Sequence, residues 1–390
     1  MLKGFKYRIY PNAIQRQKLN SAFGCVRLVY NKCLDHKESC YKETGKSPYY
    51  NELASTYLLS LKQDFPFLKE NCPAQCLQMS IRNLDTAYKR FFEKVSDHPT
   101  FKKKFDEQTL SFPQHNTVDF SKSVTKVIRF GEIKTVFHKK FEGEVRNTTI
   151  SRTKTNKYFI SILVNTPDII PDVSLKGKHI GIDVGVKDYL VTSDGDKIPN
   201  PKYRNDILDK EAALNRILAK KTKGSKNYNK VKVKISKIFE NVTNTRTDFL
   251  NKLSRKIIDE NQVIFVENLD VQGMMEKAPP SLAGHIQNSC FGRFKTMLIY
   301  KGLWVGKAVI QIGRYEPSSK ECHICGQKNN ELQLKDRTWT CSGCKTEHDR
   351  DINAAKNVLK FGMEQPEYKS LDADGLSPSA DRKPTGLSCG

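Results

Sequence analysis

Long apolar runs are absent from this 390-residue chain, whose hydrophobic segments are short and interrupted by charged residues. A membrane-spanning helix needs about 20 predominantly apolar residues, and no amphipathic anchor or lipidation signal is evident, so we expect no membrane partner. The start, Met1–Tyr7, lacks the apolar core of a secretory signal. These absences favour an intracellular, cytoplasmic protein.

Acidic residues are scarce relative to basic ones. The chain has 66 Lys and Arg against 43 Asp and Glu, which gives a formal net charge of +23. Such a charge favours a polyanionic partner, and nucleic acid, rather than a small-molecule substrate, is the leading candidate. The length allows two or three domains with their own cores.

Most of the eleven cysteines also lack the regular spacing of a disulfide framework. Reduced thiols are expected of the seven that show no framework pattern: Cys25, Cys33, Cys40, Cys72, Cys76, Cys290 and Cys389. The other four form two pairs, Cys322-x2-Cys325 and Cys341-x2-Cys344. Each pair can turn tightly enough to present two thiolates to one ion, so the spacing predicts a tetrahedral structural zinc site. His323, inside the first pair, is not needed as a ligand.

An antiparallel β module interrupted by a helical domain is predicted for the first 170 residues. Residues 3–10 alternate like a strand, and a helical pattern follows from Ile14 to about Lys94. The predicted boundaries are 1–13 and 97–170 for the β module and 14–96 for the helical domain. The returning strands are predicted at Leu110–Phe112, Val127–Phe130, Lys134–His138, Thr148–Arg152 and Lys157–Val164.

From about residue 171 the pattern becomes α/β. Buried-type strands are predicted at His179–Val186 and Gln262–Leu269, and Asp194-Gly195 is typical of a hairpin turn. The predicted boundaries are 171–320 for an α/β domain, 321–346 for the zinc ribbon, 347–362 for a last segment of the α/β domain and 363–390 for a disordered tail.

Residues 206–258 have the pattern of two lysine-rich helices around Gly224-Ser225. Such lysines either form a solvated helix face or contact phosphates, and the scarcity of interleaved acids favours phosphate contact. The lysines concerned are Lys220, Lys221, Lys223, Lys226, Lys230, Lys232, Lys234 and Lys237.

Three carboxylates occupy unusual positions: Asp183 within an apolar strand, Glu267 at the end of another, and Asp351 at the start of a late helix. A charge in an apolar strand costs several kcal/mol unless it is paired or binds a metal. If the three converge, they form an oxygen-ligand site for two Mg²⁺ ions that could hydrolyse a phosphodiester. Alternatively, Asp349 and Asp351 are helix N-caps, Glu267 accepts hydrogen bonds and Asp183 pairs with a lysine.

Four segments, in this order, resemble signatures of the TnpB-type proteins of insertion sequences, whose relatives include the type V CRISPR effectors. The segments are Ile180–Gly185, Val266–Leu269, the paired cysteines with Arg337–Cys341, and Asp349–Ala355. The resemblance implies a multidomain α+β protein. Its parts would be a RuvC-like nuclease domain of ribonuclease H fold with an inserted zinc ribbon, and a β-barrel-like wedge domain interrupted by a helical recognition domain.

The same resemblance implies that Asp183, Glu267 and Asp351 bind catalytic Mg²⁺ and that Arg337 helps to place the scissile strand. Proteins of this type are similar to RNA-guided DNA endonucleases: they bind a guide RNA from the element end and cleave both strands of target DNA beside a short motif. A bacterial or archaeal cytosol is the implied location. Contacts with the adjacent motif are expected of Gln75, Gln78, Ser111 and Gln114.

Two other functions remain open. A guided DNA-binding repressor would not cleave, but it would be expected to lose acids, and all three are present. A transposase or resolvase acting on element DNA is permitted by the fold alone. The basic helical segment and the helical insert fit guide binding better than junction recognition.

Overall fold

Residues 1–114, 116–333 and 335–374 are described by a computed structural model. The chain divides into two units, Met1–Ile169 and Ile170–Gly390. Within the described ranges, no helix is both long and apolar enough to cross a membrane.

The described part of the first unit contains seven strands: β1 (Leu2–Tyr10), β2 (Gln108–Phe112), β3 (Thr117–Asp119), β4 (Val124–Val127), β5 (Gly131–Val136), β6 (Glu144–Arg152) and β7 (Tyr158–Asn165). They form one antiparallel sheet with the order β2-β6-β7-β1-β5-β4-β3. Among the described residues the edge strands β2 and β3 do not pair with each other, so the backbone ladder is not closed, and the β-barrel-like form that the resemblance implied stays a prediction.

Helices occupy the segment between β1 and β2: α1 (Ala13–Thr44), α2 (Tyr50–Glu52), a π-helical turn (Leu53–Tyr57), α3 (Leu58–Asp64), α4 (Phe67–Asn71) and α5 (Ala74–Phe92). The first begins at a capping box, because the Asn12 side chain accepts from the backbone NH of Gln15 while the Gln15 side chain accepts from the NH of Asn12. Gly45, with φ +70°, ends the same helix.

One apolar core joins the sheet and the helices of the first unit. Alternate residues of β1, such as Tyr7 and Ile9, point inward and pack with Leu19 and Phe23 of α1 and Leu77 of α5. Each of these side chains is almost fully buried, which stabilises the fold by about 1.5–3 kcal/mol per large side chain. The apolar residues that recur with helical periodicity in the insert are therefore the ones that pack it on the sheet.

Strand bounds differ from the prediction in the middle of the β module. The segment predicted as a strand over Val127–Phe130 is a strand only up to Val127, because the chain then turns at Arg129, which has φ +67°. The Arg129 guanidinium donates to the carbonyl oxygens of Lys69 and Cys72 and holds this turn against the helices. The three-residue strand β3 was not predicted at all.

The second unit contains a five-stranded sheet formed by β8 (His179–Val184), β9 (Asp188–Thr192), β10 (Lys197–Pro199), β11 (Val263–Val266) and β12 (Ala308–Gln311). Its order is β10-β9-β8-β11-β12, with the first three strands antiparallel and β8, β11 and β12 parallel. The predicted hairpin turn at Asp194-Gly195 connects β9 and β10, and Gly195 has φ +97°.

Helices cover both faces of this sheet: α6 (Leu208–Ala219), α7 (Lys226–Glu260), α8 (Val271–Lys277), α9 (Pro280–Ser289), α10 (Phe291–Trp304), α11 (Arg350–Glu364) and α12 (Pro366–Asp374). Residues of α7, α9 and α10 form one core with Ile180 and Ile264. Residues of α11 and α12 form another with Val263 and Phe265 on the opposite face. The sheet is therefore enclosed on both sides, as its nearly continuous apolar strands require.

The ribbon contains the short hairpin β13 (Thr338–Thr340) and β14 (Glu347–Asp349), and β14 leads directly into α11. The tail was predicted to be disordered from residue 363, and this is wrong for Pro366–Asp374, which form α12. Tyr368 and Leu371 pack against the core that contains Phe361, and the Tyr368 hydroxyl lies 3.1 Å from Nε2 of His179. Residues 375–390 of the predicted tail lie outside the described residues.

Candidate active site and metal centre

Alternation along two neighbouring strands places two of the predicted carboxylates on one face of the sheet. On β8, Ile180 and Ile182 lie in the core with α7, so Asp183 lies on the other face, which α11 covers. On β11, Phe265 packs against α11, and Glu267 follows it two residues later. Because β8 and β11 are adjacent and parallel, Asp183 and Glu267 reach the same edge of the sheet.

Two glycines allow α11 to lie directly against this face. A Cβ atom on Gly181 would lie 2.2 Å from the carbonyl oxygen of Ala355, and one on Gly362 would lie 2.1 Å from Cδ1 of Phe265. Any larger residue would force the helix away from the sheet. The close approach brings the first turn of α11, which carries Asp351, to the strand carboxylates.

The charges of the three carboxylates interact. Burial raises the pKa of Asp183 well above its ordinary value, and the charges of Glu267 and Asp351 raise it further. Arg350 and the backbone NH of Val184 act in the opposite direction but do not compensate. Three like charges held near one another in a partly desolvated site are stabilised by a cation.

Glu267 has one strong hydrogen-bond partner. The hydroxyl of Ser318 donates to Oε1 of Glu267 over 2.5 Å. Burial raises the pKa of Glu267, whereas this hydrogen bond lowers it, and burial dominates. The second carboxylate oxygen is not used by this contact.

At the start of α11, only one of the two acids predicted as possible N-caps has that role. The cap is Asp349, whose Oδ1 accepts from the backbone NH groups of Asp351 and Ile352, while its Oδ2 pairs with Lys197 over 2.5 Å. Burial raises the pKa of Asp349, but the ion pair and these NH groups outweigh it, so the pKa lies below the usual range. The carboxylate of Asp351 is not part of this cap, and its charge raises the pKa of Asp183.

Each carboxylate oxygen of Asp351 is contacted by a different arginine. Nη1 of Arg337 lies 3.2 Å from Oδ2, and Nε and Nη2 of Arg350 lie 3.2 and 3.1 Å from Oδ1. The sequence identified Arg337 but not Arg350. Its position beside the acids could have been suspected, because it lies between Asp349 and Asp351 in a segment with several charges.

The four cysteines of the ribbon form one cluster. Their Sγ atoms all lie within 4.8 Å of one another, with 3.6 Å between Cys322 and Cys344 and 3.5 Å between Cys325 and Cys341. A tetrahedral ion with Zn–S bonds of about 2.3 Å requires Sγ–Sγ separations of about 3.8 Å, so the arrangement fits structural zinc. Burial raises the pKa of Cys322 to about 12, so a thiolate at this position would gain stability from a bound cation.

Histidines surround this cluster without being part of it. The Nδ1 atom of His323 lies 2.9 Å from Oδ1 of Asn353, and its Nε2 lies 3.5 Å from Nζ of Lys356, as the assignment of four cysteine ligands requires. A second histidine, His348, was not singled out from the sequence. Its Nε2 lies 3.1 Å from Sγ of Cys322, where it can donate a hydrogen bond to a thiolate.

Two buried asparagines attach the ribbon to α11. Nδ2 of Asn353 donates to the carbonyl oxygen of Glu321 over 2.7 Å, and Nδ2 of Asn357 donates to the carbonyl oxygens of Glu321 and Ser318. Neither asparagine was predicted from the sequence to be functional. The available signal was their i,i+4 spacing on an apolar helix face, where asparagine is unfavourable unless its amide is bonded.

The remaining predicted nucleic-acid contacts stay predictions. Gln78 and Gln114 are exposed, Gln75 is half-buried, and the Ser111 hydroxyl lies 3.1 Å from that of Thr149. The predicted lysines in the turn between α6 and α7 and in the first part of α7 are exposed. Those exposed are Lys220, Lys221, Lys223, Lys226, Lys230, Lys232, Lys234 and Lys237.

Family models match three parts of the chain. Residues 160–278 match a family described as "Probable transposase", residues 291–358 match a "Cas12f1-like, TNB domain", and residues 1–46 match a "Helix-turn-helix domain". The first match includes Asp183 and Glu267, and the second includes the four cysteines and Asp351. In residues 1–46 the structure has β1 and the single helix α1, so the name of the third model does not describe the local fold.

Similar proteins extend along nearly the whole chain. A candidate RNA-guided DNA endonuclease of Streptomyces pristinaespiralis is 32% identical over 99% of this chain and 94% of its own length. The candidate RNA-guided DNA endonuclease InsQ of Escherichia coli (strain K12) is 28% identical over 93% of this chain and 92% of its own. The protein in the cryo-EM structure of the Cas12f1–sgRNA–target DNA complex shares the fold, with a TM-score of 0.55 at 14% identity over 94% of this chain and 99% of that one. The resemblance seen in the sequence is confirmed, and the chain belongs to the TnpB-type family.

Proposed function

We propose that this protein is an RNA-guided DNA endonuclease encoded by a transposable element, which cleaves double-stranded target DNA beside a short motif. Relatives that align along almost the entire chain are described as RNA-guided DNA endonucleases. The guide would be an RNA derived from the element end, and the location would be a bacterial or archaeal cytosol.

The observation that carries the proposal is the electrostatic interaction of Asp183 with Glu267 and Asp351, both of which raise the pKa of Asp183. The three acids come from β8, from the end of β11 and from the start of α11, and each acts on the electrostatics of the same site. The close packing at Gly181 and Gly362, which lets α11 lie directly on these strands, supports a shared role for the three acids.

The topology supports a RuvC-like nuclease domain of ribonuclease H fold. Three antiparallel strands are followed by two parallel strands reached through helical connections, and the carboxylates lie where β8 and β11 end. We assign the sheet of the first unit to a wedge domain and α1–α5 to a recognition domain. The ribbon is then an insertion between β12 and the last nuclease helix, α11.

The donor set suits Mg²⁺, which prefers carboxylate and water oxygens. Asp183, Glu267 and Asp351 would hold two such ions, which would activate a water molecule and stabilise the departing 3′ oxygen of a phosphodiester. The protein's own contribution is to fix the three carboxylates on rigid elements and to balance part of their charge with Arg350. Arg337, whose side chain is 45% exposed and pairs with Asp351, would contact the scissile strand.

Nucleic-acid binding is assigned to surfaces away from the acids. The exposed lysines from Lys220 to Lys237 would contact phosphates of guide RNA or heteroduplex, independently of sequence. Gln75, Gln78, Ser111 and Gln114 are proposed to contact the adjacent motif. A repressor that binds without cleaving is not favoured, because the complete set of acids would then serve no purpose.

Substitution of the acids tests the proposal. Asp183→Ala, Glu267→Gln and Asp351→Ala should each abolish plasmid cleavage in Mg²⁺ while guided binding stays nearly intact, because a metal cluster fails as a unit. Asp196→Asn, an exposed acid in the turn between β9 and β10, is the control and should cleave normally. Full cleavage by any one of the three variants would remove that residue from the site.

A further inference from the structure

Ser318 lies between two parts of the candidate active site that are distant in sequence. Its side chain is almost fully buried, its hydroxyl donates to Oε1 of Glu267 over 2.5 Å, and its carbonyl oxygen accepts from Nδ2 of Asn357 over 2.7 Å. Asn357 belongs to α11, the helix that begins beside Asp351. One residue therefore connects the carboxylate after β11 with the helix that carries the third carboxylate.

The connection is rigid at both ends. Asn357 is fully buried, and its Nδ2 also donates to the carbonyl oxygen of Glu321 over 2.5 Å. Asn353, one turn earlier on the same helix, donates to that carbonyl as well, over 2.7 Å. Glu321 directly precedes Cys322, so the segment between Ser318 and the zinc cluster is held along α11 by side-chain amides.

A glutamate at a strand end has three rotatable side-chain bonds and needs a partner to keep one orientation. A short hydrogen bond from a hydroxyl to a carboxylate oxygen is of the strong, charge-assisted kind. It fixes Oε1 of Glu267 and leaves Oε2 for a cation. Partners that orient metal-binding carboxylates in this way typically change metal affinity or activity by about 10–100-fold when removed.

We infer that Ser318 is a positioning residue that orients Glu267 for a divalent cation, and that Asn357 couples this orientation to the position of α11. The inference rests on the proposed function only in assigning a cation to Glu267. It gives the segment before the first cysteine pair a role at the acids that is separate from zinc binding. It also explains why two asparagines are buried in the helix that follows the ribbon.

The test measures metal binding directly, on guide-free protein, by the loss of the electron paramagnetic resonance signal of free Mn²⁺. Ser318→Ala should weaken Mn²⁺ binding about 10–100-fold, and Ser318→Thr, which keeps the hydroxyl, should restore a large part of it. Ser319→Ala is the matched control: among the described residues its hydroxyl has no hydrogen-bond partner, so binding should not change. Zinc content should be the same in all three variants.

Cleavage provides the second measurement. Ser318→Ala should raise the Mg²⁺ concentration needed for half-maximal cleavage far more than it lowers the rate at saturating Mg²⁺. A merely structural role would lower the rate to a similar extent at every Mg²⁺ concentration. Equal Mn²⁺ affinity in Ser318→Ala and wild type would overturn the inference.

The same titration separates this inference from the proposed function. If Glu267→Gln weakens Mn²⁺ binding and Ser318→Ala does not, the metal site is correct and the positioning role is wrong. If Glu267→Gln also leaves Mn²⁺ binding unchanged, the assignment of Glu267 to a metal site is wrong, and the inference is overturned with it.

Discussion

Individual carboxylates in this protein have roles that depend on their neighbours more than on their type. Asp349 and Asp351 are two residues apart, yet the first caps α11 and pairs with Lys197, whereas the second contacts two arginines and raises the pKa of Asp183. The sequence could present both as cap candidates but could not choose between them. Only the direction in which α11 leaves β14 decides which carboxylate faces the sheet.

At the scale of one residue, we predict that Asp183→Asn stabilises the protein when Mg²⁺ is absent. Burial and neighbouring charges raise the pKa of Asp183, so its ionisation at neutral pH costs free energy of folding. The cost is about 1.4 kcal/mol for every tenfold decrease in the acid dissociation constant of the carboxyl group on folding. Asparagine is nearly isosteric and uncharged. The melting temperature should rise by roughly 2–4 °C for each kcal/mol that the substitution recovers.

The measurement is thermal unfolding in Mg²⁺-free buffer without a chelator, since a chelator would also remove zinc. The variant should differ least from wild type at low pH, where Asp183 is protonated, and the gain from Asp183→Asn should grow as pH rises and the carboxyl group of the unfolded chain ionises. Added Mg²⁺ should stabilise wild type more than the variant. Asp196→Asn should show no such pattern, and a lower melting temperature for Asp183→Asn at neutral pH would contradict the electrostatic account.

At the scale of elements, the sequence predicted most of what determines the site. The helical insert, the hairpin at Asp194-Gly195, the buried strands and the start of a late helix all follow from periodicity and turn chemistry. What could not be predicted depends on contacts between distant segments. Val127–Phe130 is apolar like a strand but turns because Arg129 reaches the helices, and α12 forms because its apolar residues find a core.

The partners of the acids were missed for the same reason. Ser318 and Glu267 are separated by 51 residues, and Asn357 and Ser318 by 39. No local rule connects such positions, although the buried asparagine pair on α11 is unusual enough to have indicated a polar contact. The four cysteines were predicted from their fixed spacing, and Asp183 and Glu267 from a charge in or at the end of an apolar strand, whereas Asp351, at the start of a helix, had no comparable local anomaly.

The ribbon and α11 should behave as one element, and Cys341→Ser tests this. Removal of one thiolate should release zinc, whose binding contributes roughly 10–16 kcal/mol in small zinc domains. Since β14 leads into α11 and Asn353 and Asn357 hold the segment before Cys322, loss of the ribbon should also displace Asp351. Cleavage should therefore fall although no carboxylate has been changed.

Zinc content by elemental analysis, guide RNA binding and cleavage are measured on the same preparation of this variant. Guide binding should largely survive, because it is assigned to the first unit and to the exposed lysines from Lys220 to Lys237. Cys290→Ser is the control, since Cys290 is half-buried and lies outside the cluster. One zinc ion per chain together with normal cleavage in Cys341→Ser would refute both the ligand assignment and the coupling.

At the scale of the whole molecule, the net charge is +23, and the basic residues differ in whether an acidic residue lies beside them. Several surface lysines already have an acidic partner, such as Lys178 with Asp194 and Lys252 with Asp248. By contrast, the lysines from Lys220 to Lys237, in the turn between α6 and α7 and in the first part of α7, are exposed along one segment with few acids nearby. A row of this kind attracts phosphates, whereas paired lysines have little free charge to offer.

We therefore predict that replacing Lys223, Lys226, Lys230 and Lys234 by Gln weakens guide RNA binding similarly for every guide sequence and flattens its salt dependence. Each lost phosphate contact should reduce the slope of log K against log salt concentration by about 0.7–0.9, so four contacts should reduce it by about 3. The control removes the same charge from lysines that already have acidic partners: Lys89, Lys178, Lys252 and Lys256. Binding isotherms at several salt concentrations separate the two sets. A smaller slope in both would mean that RNA responds to total charge, and an unchanged slope in the first set would mean that these lysines form only a solvated helix face.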